Sequence, residues 1–453
     1  MPRFLLTTLP SNDLGLLARS LPIARELSAR GHEIAFCSPA KAPGVLIAEA
    51  GFQNLTSRHP VYHINFDDLG FSGIIRLLKS KPLKDEYGNI LNFLFQLIRS
   101  VPIRFAPSTP DVWNMDHAAA MLGMMNTNFV KSHCHAMLNL MEEFEPDIVI
   151  DFLNPIACIA ARVLKKPLIS VIQADGHPAN KGFIWWKEPT KKIPTATPAI
   201  NRVLTGYGLK PIRKTEELCL GDLTLIVGSP ETDPIPQGSQ GHFIGPLLWQ
   251  KSNAELPSWV EDIDKGKPLI WVYSGNPRYA PKRTVADSEV ILHASIDVLG
   301  TEDVQVVLTT GHHTLPEEYL PLPKNFHFAG YVPGLALAEK CDLMIHHGGY
   351  GSCQTGLVSG TPAVIIPTMS ERESNARRIA SLGAGEFVVP TADKSGRKKI
   401  AVEEFKAKIN RVITTPPYAE NARRCGEILK SYGGVELAAG LIEDFARDKT
   451  IRH

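Results

Sequence analysis

Residues 341–352 read Cys-Asp-Leu-Met-Ile-His-His-Gly-Gly-Tyr-Gly-Ser. An apolar run ends at two histidines and a glycine-rich turn, and Gln354–Ser359 suits a helix. Glycines at a strand's carboxyl end let the backbone approach a ligand. A helix amino terminus adds unpaired N–H groups and partial positive charge. Together they make a seat for a phosphate, with His347 and Ser352 as further donors. A glycine-rich turn with two locally packed histidines is the plainer reading. No metal is expected, because adjacent side chains on a turn diverge and no third ligand stands in register.

Two further segments have the same design. Val272-Tyr273-Ser274-Gly275-Asn276-Pro277 runs from strand into a glycine turn and suits a second phosphate or an ordinary tight turn. Pro367-Thr368-Met369-Ser370-Glu371-Arg372-Glu373-Ser374-Asn375 follows the apolar run Ala363–Ile366. Its crowded polar groups suit either polyhydroxyl recognition or a solvated loop.

The elements that must carry these residues are those of an α/β protein. Arg3–Leu9 reads as a buried strand, Leu14, Leu17, Leu21, Ala24 and Leu27 as the apolar stripe of a helix, and Glu33–Cys37 as the next strand. This βαβ unit implies a parallel sheet. The alternation returns at Asp147–Asp151, Ile156–Leu164, Pro167–Ile172 and Leu223–Val227. It restarts at Leu269–Tyr273, with further strands at Val304–Thr309, Phe326–Phe328, Leu343–Ile345, Ala363–Ile366 and Glu386–Val389. Helical runs cover Ile90–Ile98 and Ala118–Met141, and the tail 418–447 reads as amphipathic helices broken at Gly433-Gly434. The expected organisation is an N-terminal domain over 1–228, a Pro/Gly/Gln-rich linker over 229–256, a second domain over 257–417, and C-terminal helices over 418–453.

Composition narrows the classes. Lys and Arg total 48 against 47 Asp and Glu, so charge offers no case for a nucleic-acid or anionic-membrane partner. No stretch approaches the ~20 apolar residues of a membrane span. The opening MPRFLLTTLPSND is too short in apolar residues for a secretory signal. Seven scattered cysteines, never in C-x-x-C spacing, read as reduced core thiols. A cytoplasmic protein without stable membrane insertion is expected.

In their order along the chain, the three turns resemble the nucleotide-sugar domain of the UDP-glycosyltransferase superfamily, especially its bacterial and fungal members acting on macrolides, sterols and other lipophilic molecules. The resemblance is strongest over 325–390. Gly330-Tyr331-Val332-Pro333 looks like the family's nucleobase element, which implies base contacts by Tyr331 and Val332. His347-Gly348-Gly349-Tyr350-Gly351-Ser352 matches the pyrophosphate site, Gly360-Thr361-Pro362 the helix-ending Gly-x-Pro, and Pro367–Asn375 the sugar-reading segment. Gly275-Asn276 corresponds to the turn at the β-phosphate, and Pro230–Pro234 with Gly245-Pro246-Leu247 resembles the family's linker.

There are departures. Arg372 stands where Gln is common, Thr355 where plant-type members have a ribose-binding Glu, and Gly334 where Gln follows the Pro. Arg372 suits an anionic sugar or an exposed ion pair. At the first βα turn the family usually has Gly-His, the His being the base; here those positions fall on Gly15 and Leu16. Asp13 is the nearest titratable group, as base or as a helix cap. Asp151 corresponds to the family's His-orienting Asp, with His117, His133 or His135 as other partners. Phe66, Phe71, Phe93, Phe95, Phe105 and Trp113 suit an apolar acceptor pocket or plain core, and Trp185-Trp186 a wall or lid.

The resemblance thus implies two Rossmann-like doubly wound domains facing a cleft (GT-B), with the tail helices crossing back to the first. It implies an inverting transfer from a UDP- or dTDP-sugar to a lipophilic small molecule, with no metal or other cofactor. The donor-side residues would be Gly275, Asn276, Tyr331, Val332, His347, Gly349, Gly351, Ser352, Thr355, Glu371 and Arg372. Asp13 and Asp151 would be the catalytic pair, and Trp113, Trp185 and Trp186 would meet the acceptor. A monomer or homodimer is expected. The missing histidine keeps two rivals open: a catalytically silent nucleotide-sugar-binding partner, and a C- or N-glycosyltransferase using an Asp base.

Overall fold

The computed structural model describes residues 2–9, 14–55, 111–249, 255–275, 282–311, 314–393 and 398–450. The run Ile90–Ile98 and the phenylalanines between 60 and 110 lie outside them, as do Asp13 and Asn276. The N-terminal sheet has seven parallel strands: β1 (Arg3–Thr8), β2 (Glu33–Cys37), β3 (Gln53–Asn54), β4 (Ile148–Phe152), β5 (Leu168–Ile172), β6 (Leu223–Val227) and β7 (His242–Gly245). Their order is β3-β2-β1-β4-β5-β6-β7. Strands β4 and β5 are buried throughout, and continuous apolar runs are what a sheet covered on both faces requires.

Helices α1 (Gly15–Ala29), α2 (Lys41–Glu49), α3 (Met115–Ala119), α4 (Thr127–Phe144), α5 (Pro155–Val163) and α6 (Thr197–Gly206) belong to this domain. The expected helix 118–141 is broken at Gly123, which has φ 100°. Asn154 starts α5 by accepting from the N–H groups of Ile156 and Ala157, with Pro155 at the first helical position.

The C-terminal sheet is also parallel: β8 (Leu269–Tyr273), β9 (Gln305–Thr309), β10 (Phe326–Ala329), β11 (Leu343–His346), β12 (Ala363–Ile365) and β13 (Gly385–Phe387). Its order, β10-β9-β8-β11-β12-β13, repeats the N-terminal pattern. Helices α7 (Lys282–Leu299), α8 (Gly334–Ala338), α9 (Tyr350–Ser359), α10 (Ser370–Ser381) and α11 (Val402–Thr414) intervene or follow, with a small hairpin of β14 (Thr391–Ala392) and β15 (Lys398–Lys399). Two doubly wound Rossmann-like domains are therefore present, as expected.

Two boundaries shift. The segment 229–256 is not linker throughout, because β7 pairs with β6 at the edge of the N-terminal sheet. A four-residue strand, His-Phe-Ile-Gly, is too short to show a period between Pro and Gly. The tail also divides later than residue 418. Helix α12 (Pro417–Ser431) buries Ala422, Cys425 and Leu429 in the C-terminal core, against α9. Helix α13 (Gly434–Thr450) buries Ala438, Ala439, Ile442 and Ala446 with Leu17 and Leu21 of α1. The crossing is made at Gly433 and Gly434, with φ 88° and 57°, and Glu443 of α13 pairs with Arg30 and His32. Among the described residues no helix is long and apolar enough to cross a membrane.

Candidate active site

In the C-terminal sheet the strand order reverses between β8 and β11, which pair through Tyr273 and His346. Loops leaving the two strands at such a point separate and open a crevice. Two of the glycine turns meet there. Gly275 has φ 103°, and a Cβ on it would stand 3.3 Å from His347 Nδ1. Gly348 has φ 86°, and a Cβ there would lie 2.7 Å from the Arg372 carbonyl oxygen, so only glycine fits. At Gly349 a Cβ would come within 2.5 Å of His347 Nε2. At Gly351 it would meet nothing within 4 Å, so the first turn of α9 faces open space beside that ring.

His346 and His347 are buried. Burial lowers His346 to about 3, and its Nδ1 accepts the Gly348 N–H at 3.1 Å. His347 lies well below the usual histidine range, first through burial and then through repulsion by Arg372 and His346. Both rings are neutral at pH 7. Among the described residues His347 Nδ1 makes no well-formed hydrogen bond, although the Tyr273 backbone lies close enough to the ring to draw its pKa partly back up.

The third turn stands beside these two, because β12 neighbours β11. Asn375 ties it to the histidine turn, donating to the Gly348 carbonyl and to Glu371 Oε1, both at 2.9 Å. Arg372 donates to Thr368 Oγ1 at 2.5 Å, and Lys398 donates to the Thr368 carbonyl. Ser352 and Thr355 are half-buried along α9, where Thr355 bonds the Gly351 carbonyl. Val332 is core, and half-buried Tyr331 precedes the start of α8. Sequence reasoning missed Trp271, whose ring would stand 3.1 Å from a Cβ at Gly334. That ring occupies the space a longer residue after Pro333 would need. The one available signal was an indole two residues before Tyr273 on a strand leading to the crevice.

At the N-terminal switch point, between β1 and β4, the described residues include Asp151 at the end of β4. Asp151 is fully buried and accepts from Thr7 Oγ1 at 2.6 Å, from the Asn154 N–H at 3.0 Å and from Cys158 Sγ at 3.2 Å. Burial raises its pKa to about 6 against those bonds. The pairing of Asp151 with His117, His133 or His135 is corrected: His117 Nδ1 accepts the Trp113 N–H, His133 Nδ1 bonds the Phe129 carbonyl, and His135 is exposed, whereas the described partners of the buried Asp151 are Thr7, Asn154 and Cys158. A carboxylate engaged by its own strand–helix turn has no free face for a base. Ligand atoms of Asp151, Cys158 and Cys219 lie within 4.8 Å of one another. Burial holds the Cys158 thiol protonated, and it donates to the carboxylate.

The tryptophans lie on the N-terminal domain's side of α10. The Trp185 indole donates to Ser374 Oγ of α10 at 2.9 Å, and Trp186 stacks under Arg377 at 4.4 Å. Both are half-buried and reach from the N-terminal domain to α10 of the other. Trp113 is half-buried, and its carbonyl accepts from Phe183 and Ile184.

Two facing Rossmann-like domains, one with a glycine-and-histidine crevice at its switch point, define the GT-B class of fold. A family model described as the C-terminal domain of erythromycin biosynthesis protein CIII-like proteins matches residues 293–441. The uncharacterized UDP-glucosyltransferase YojK of Bacillus subtilis is 27% identical over 233 residues, covering 51% of this chain and 53% of that protein. The 4'-demethylrebeccamycin synthase of Lentzea aerocolonigenes is 28% identical over 243 residues, covering 52% and 53%. The match thus spans about half the length of these relatives. The crystal structure of the glycosyltransferase VinC in complex with dTDP superimposes with a TM-score of 0.61 at 18% identity, covering 98% of this chain and all of that one. That likeness concerns the fold. With the sequence matches, it makes the chain similar to glycosyltransferases of the UDP-glycosyltransferase superfamily, by the family model over residues 293–441.

Proposed function

We propose that the protein is an inverting glycosyltransferase that moves a sugar from a UDP- or dTDP-sugar to a lipophilic small molecule. The observation that carries this reading is the convergence of Gly275, His347 and the open first turn of α9 at one switch point. The donor's diphosphate lies on the α9 amino terminus, against Gly349, Gly351 and Ser352, with Gly275 on the other side and Asn276, next in sequence, as a further donor. His347 gains the well-formed hydrogen bond its Nδ1 lacks, and together these donors stabilise the charge on the departing diphosphate. The nucleobase lies by Tyr331, Val332 and the Trp271 ring, and Thr355 faces the ribose. Glu371 and Arg372 meet the sugar. The names of the relatives support this donor class, since one is called a UDP-glucosyltransferase and the VinC structure holds dTDP.

The acceptor enters from the N-terminal domain, beside Trp113. Its hydroxyl is deprotonated by Asp13 and attacks the anomeric carbon in line as the diphosphate leaves. One bond forms and one breaks, with inversion, and the proton goes to the Asp13 carboxylate. No metal takes part. The test is a turnover assay pairing UDP- and dTDP-sugars with flat polycyclic and macrolide alcohols. Glycoside and nucleoside diphosphate should form in equal amounts. Nucleotide binding with no sugar consumed under any pairing would sink the proposal.

A further inference from the structure

Along α10, Glu371, Ser374, Asn375 and Arg378 follow at spacings of three and four and so share one face. The first turn of that face belongs to the donor crevice, through the Glu371–Asn375–Gly348 chain. The next two turns belong to the other domain. Ser374 Oγ donates to Asp175 Oδ2 at 2.6 Å while accepting the Trp185 indole N–H. Arg378 pairs with Asp175 through one guanidinium nitrogen, and the other lies 3.8 Å from Asp233.

Asp175 stands just beyond β5 and Asp233 just beyond β6, at the carboxyl ends of adjacent strands of the N-terminal sheet. Ser374, Asp175 and Asp233 are 0%, 5% and 3% exposed. The same edge holds the phosphate helix, because Tyr350 at the start of α9 donates to the Val227 carbonyl at 2.9 Å. A guanidinium between two buried carboxylates tolerates little displacement, since separation strands an uncompensated charge.

We infer that Asp175, acting through Ser374 and Arg378, is a positioning residue by which the N-terminal domain fixes where α10 presents Glu371 and Arg372 over the cleft. The inference rests on the donor reading of that crevice. It separates two properties: every group proposed to hold the nucleotide lies in the C-terminal domain, whereas transfer needs both domains in register. A misplacement of about 1 Å costs on the order of a hundredfold in rate.

The test uses the full-length chain, wild type and Asp175→Asn. The variant keeps an acceptor for Ser374 but removes the charge facing Arg378. Trp185→Phe deletes only the indole donor and serves if Asp175→Asn fails to fold. Calorimetry with UDP and dTDP, kcat and KM for transfer, and hydrogen exchange of residues 370–381 are read together. The expected result is nucleotide affinity held within about twofold, kcat lower by about tenfold or more, and faster exchange along 374–381. Smaller changes in the same sense are expected for Trp185→Phe. Unchanged kcat with unchanged exchange would overturn the inference. So would affinity falling in step with kcat, since that would mark damage inside the C-terminal domain. If neither nucleotide binds wild type, the donor reading has failed, and the exchange comparison alone decides the latch: no change at 370–381 in either variant overturns it.

Discussion

The two sheets share a strand order and therefore a switch point, yet the two crevices are furnished differently. Between β8 and β11 the chain spends glycines, two of them at positive φ, and leaves the ring of His347 buried with a nitrogen that makes no well-formed hydrogen bond. Between β1 and β4 it places Asp151 and then saturates it with Thr7, Asn154 and Cys158. An unmade hydrogen bond inside a protein costs about 1–3 kcal/mol, so the first crevice holds a cost that an arriving acceptor atom relieves. The second holds a different one, the burial of a carboxylate that its three donors offset only in part. Topology supplies two openings, and side-chain satisfaction distinguishes the one prepared for an anion.

The comparison breaks first at the base. Asp13→Asn should lower kcat by about 10²–10⁴-fold while UDP or dTDP affinity stays put, because the residue follows β1 in the sequence of the domain proposed to take the acceptor. Steady-state kinetics beside calorimetry check this, and near-normal turnover removes Asp13 from the mechanism. Next, His347→Ala should lower kcat by about 10²-fold or more by deleting one donor to the leaving diphosphate. An unchanged kcat would mean the ring is only core.

A smaller effect sharpens the location of the phosphate. A Cβ at Gly351 meets no protein atom within 4 Å, so Gly351→Ala should leave the thermal midpoint unchanged or slightly raised. It should still weaken nucleotide binding by about tenfold, because the methyl enters the space assigned to phosphate. Full affinity in a folded Gly351→Ala protein would move the diphosphate elsewhere.

The last effect concerns Asp151 and falls on stability alone, leaving nucleotide binding untouched. Its pKa stands near 6 in the folded protein against an ordinary 3.8, so the folded state holds the proton more tightly than the unfolded chain. That stability is complete below 3.8 and lost as pH rises through about 6. Asp151→Asn should therefore gain on wild type across this window, by on the order of 3 kcal/mol at most, and run parallel to it above. Thermal unfolding at several pH values measures the difference. A flat difference would show that the carboxylate does not titrate there.

Much of the donor side was legible because its signals are local. Glycine turns after apolar strands are contiguous in sequence, and their strands appear within about a residue of expectation. The strand Leu223–Val227 coincides with its expected bounds. The rest depends on distant partners. Nothing adjacent in sequence tells Asp175 that it meets Ser374 and Arg378, 199 and 203 residues away. The contacts of Trp185 and Trp186 with α10 were hidden for the same reason, since Ser374 and Arg377 stand far along the chain. Asp151 was matched by position, but its environment comes from Thr7 and Cys158, which spacing does not reveal. Strand β7 was hidden by its length, since four residues show no period.

The central claim is that the C-terminal switch point seats a nucleoside diphosphate. Thermal unfolding with UDP, dTDP and GDP at matched excess tests it directly. A ligand that binds only the folded state adds about 2.7 kcal/mol at a hundredfold excess over its dissociation constant. The account predicts a rise in midpoint with UDP or dTDP, larger than with GDP and diminished in His347→Ala. No shift with any of the three would contradict it, because His347 and the glycines around it would then serve no diphosphate.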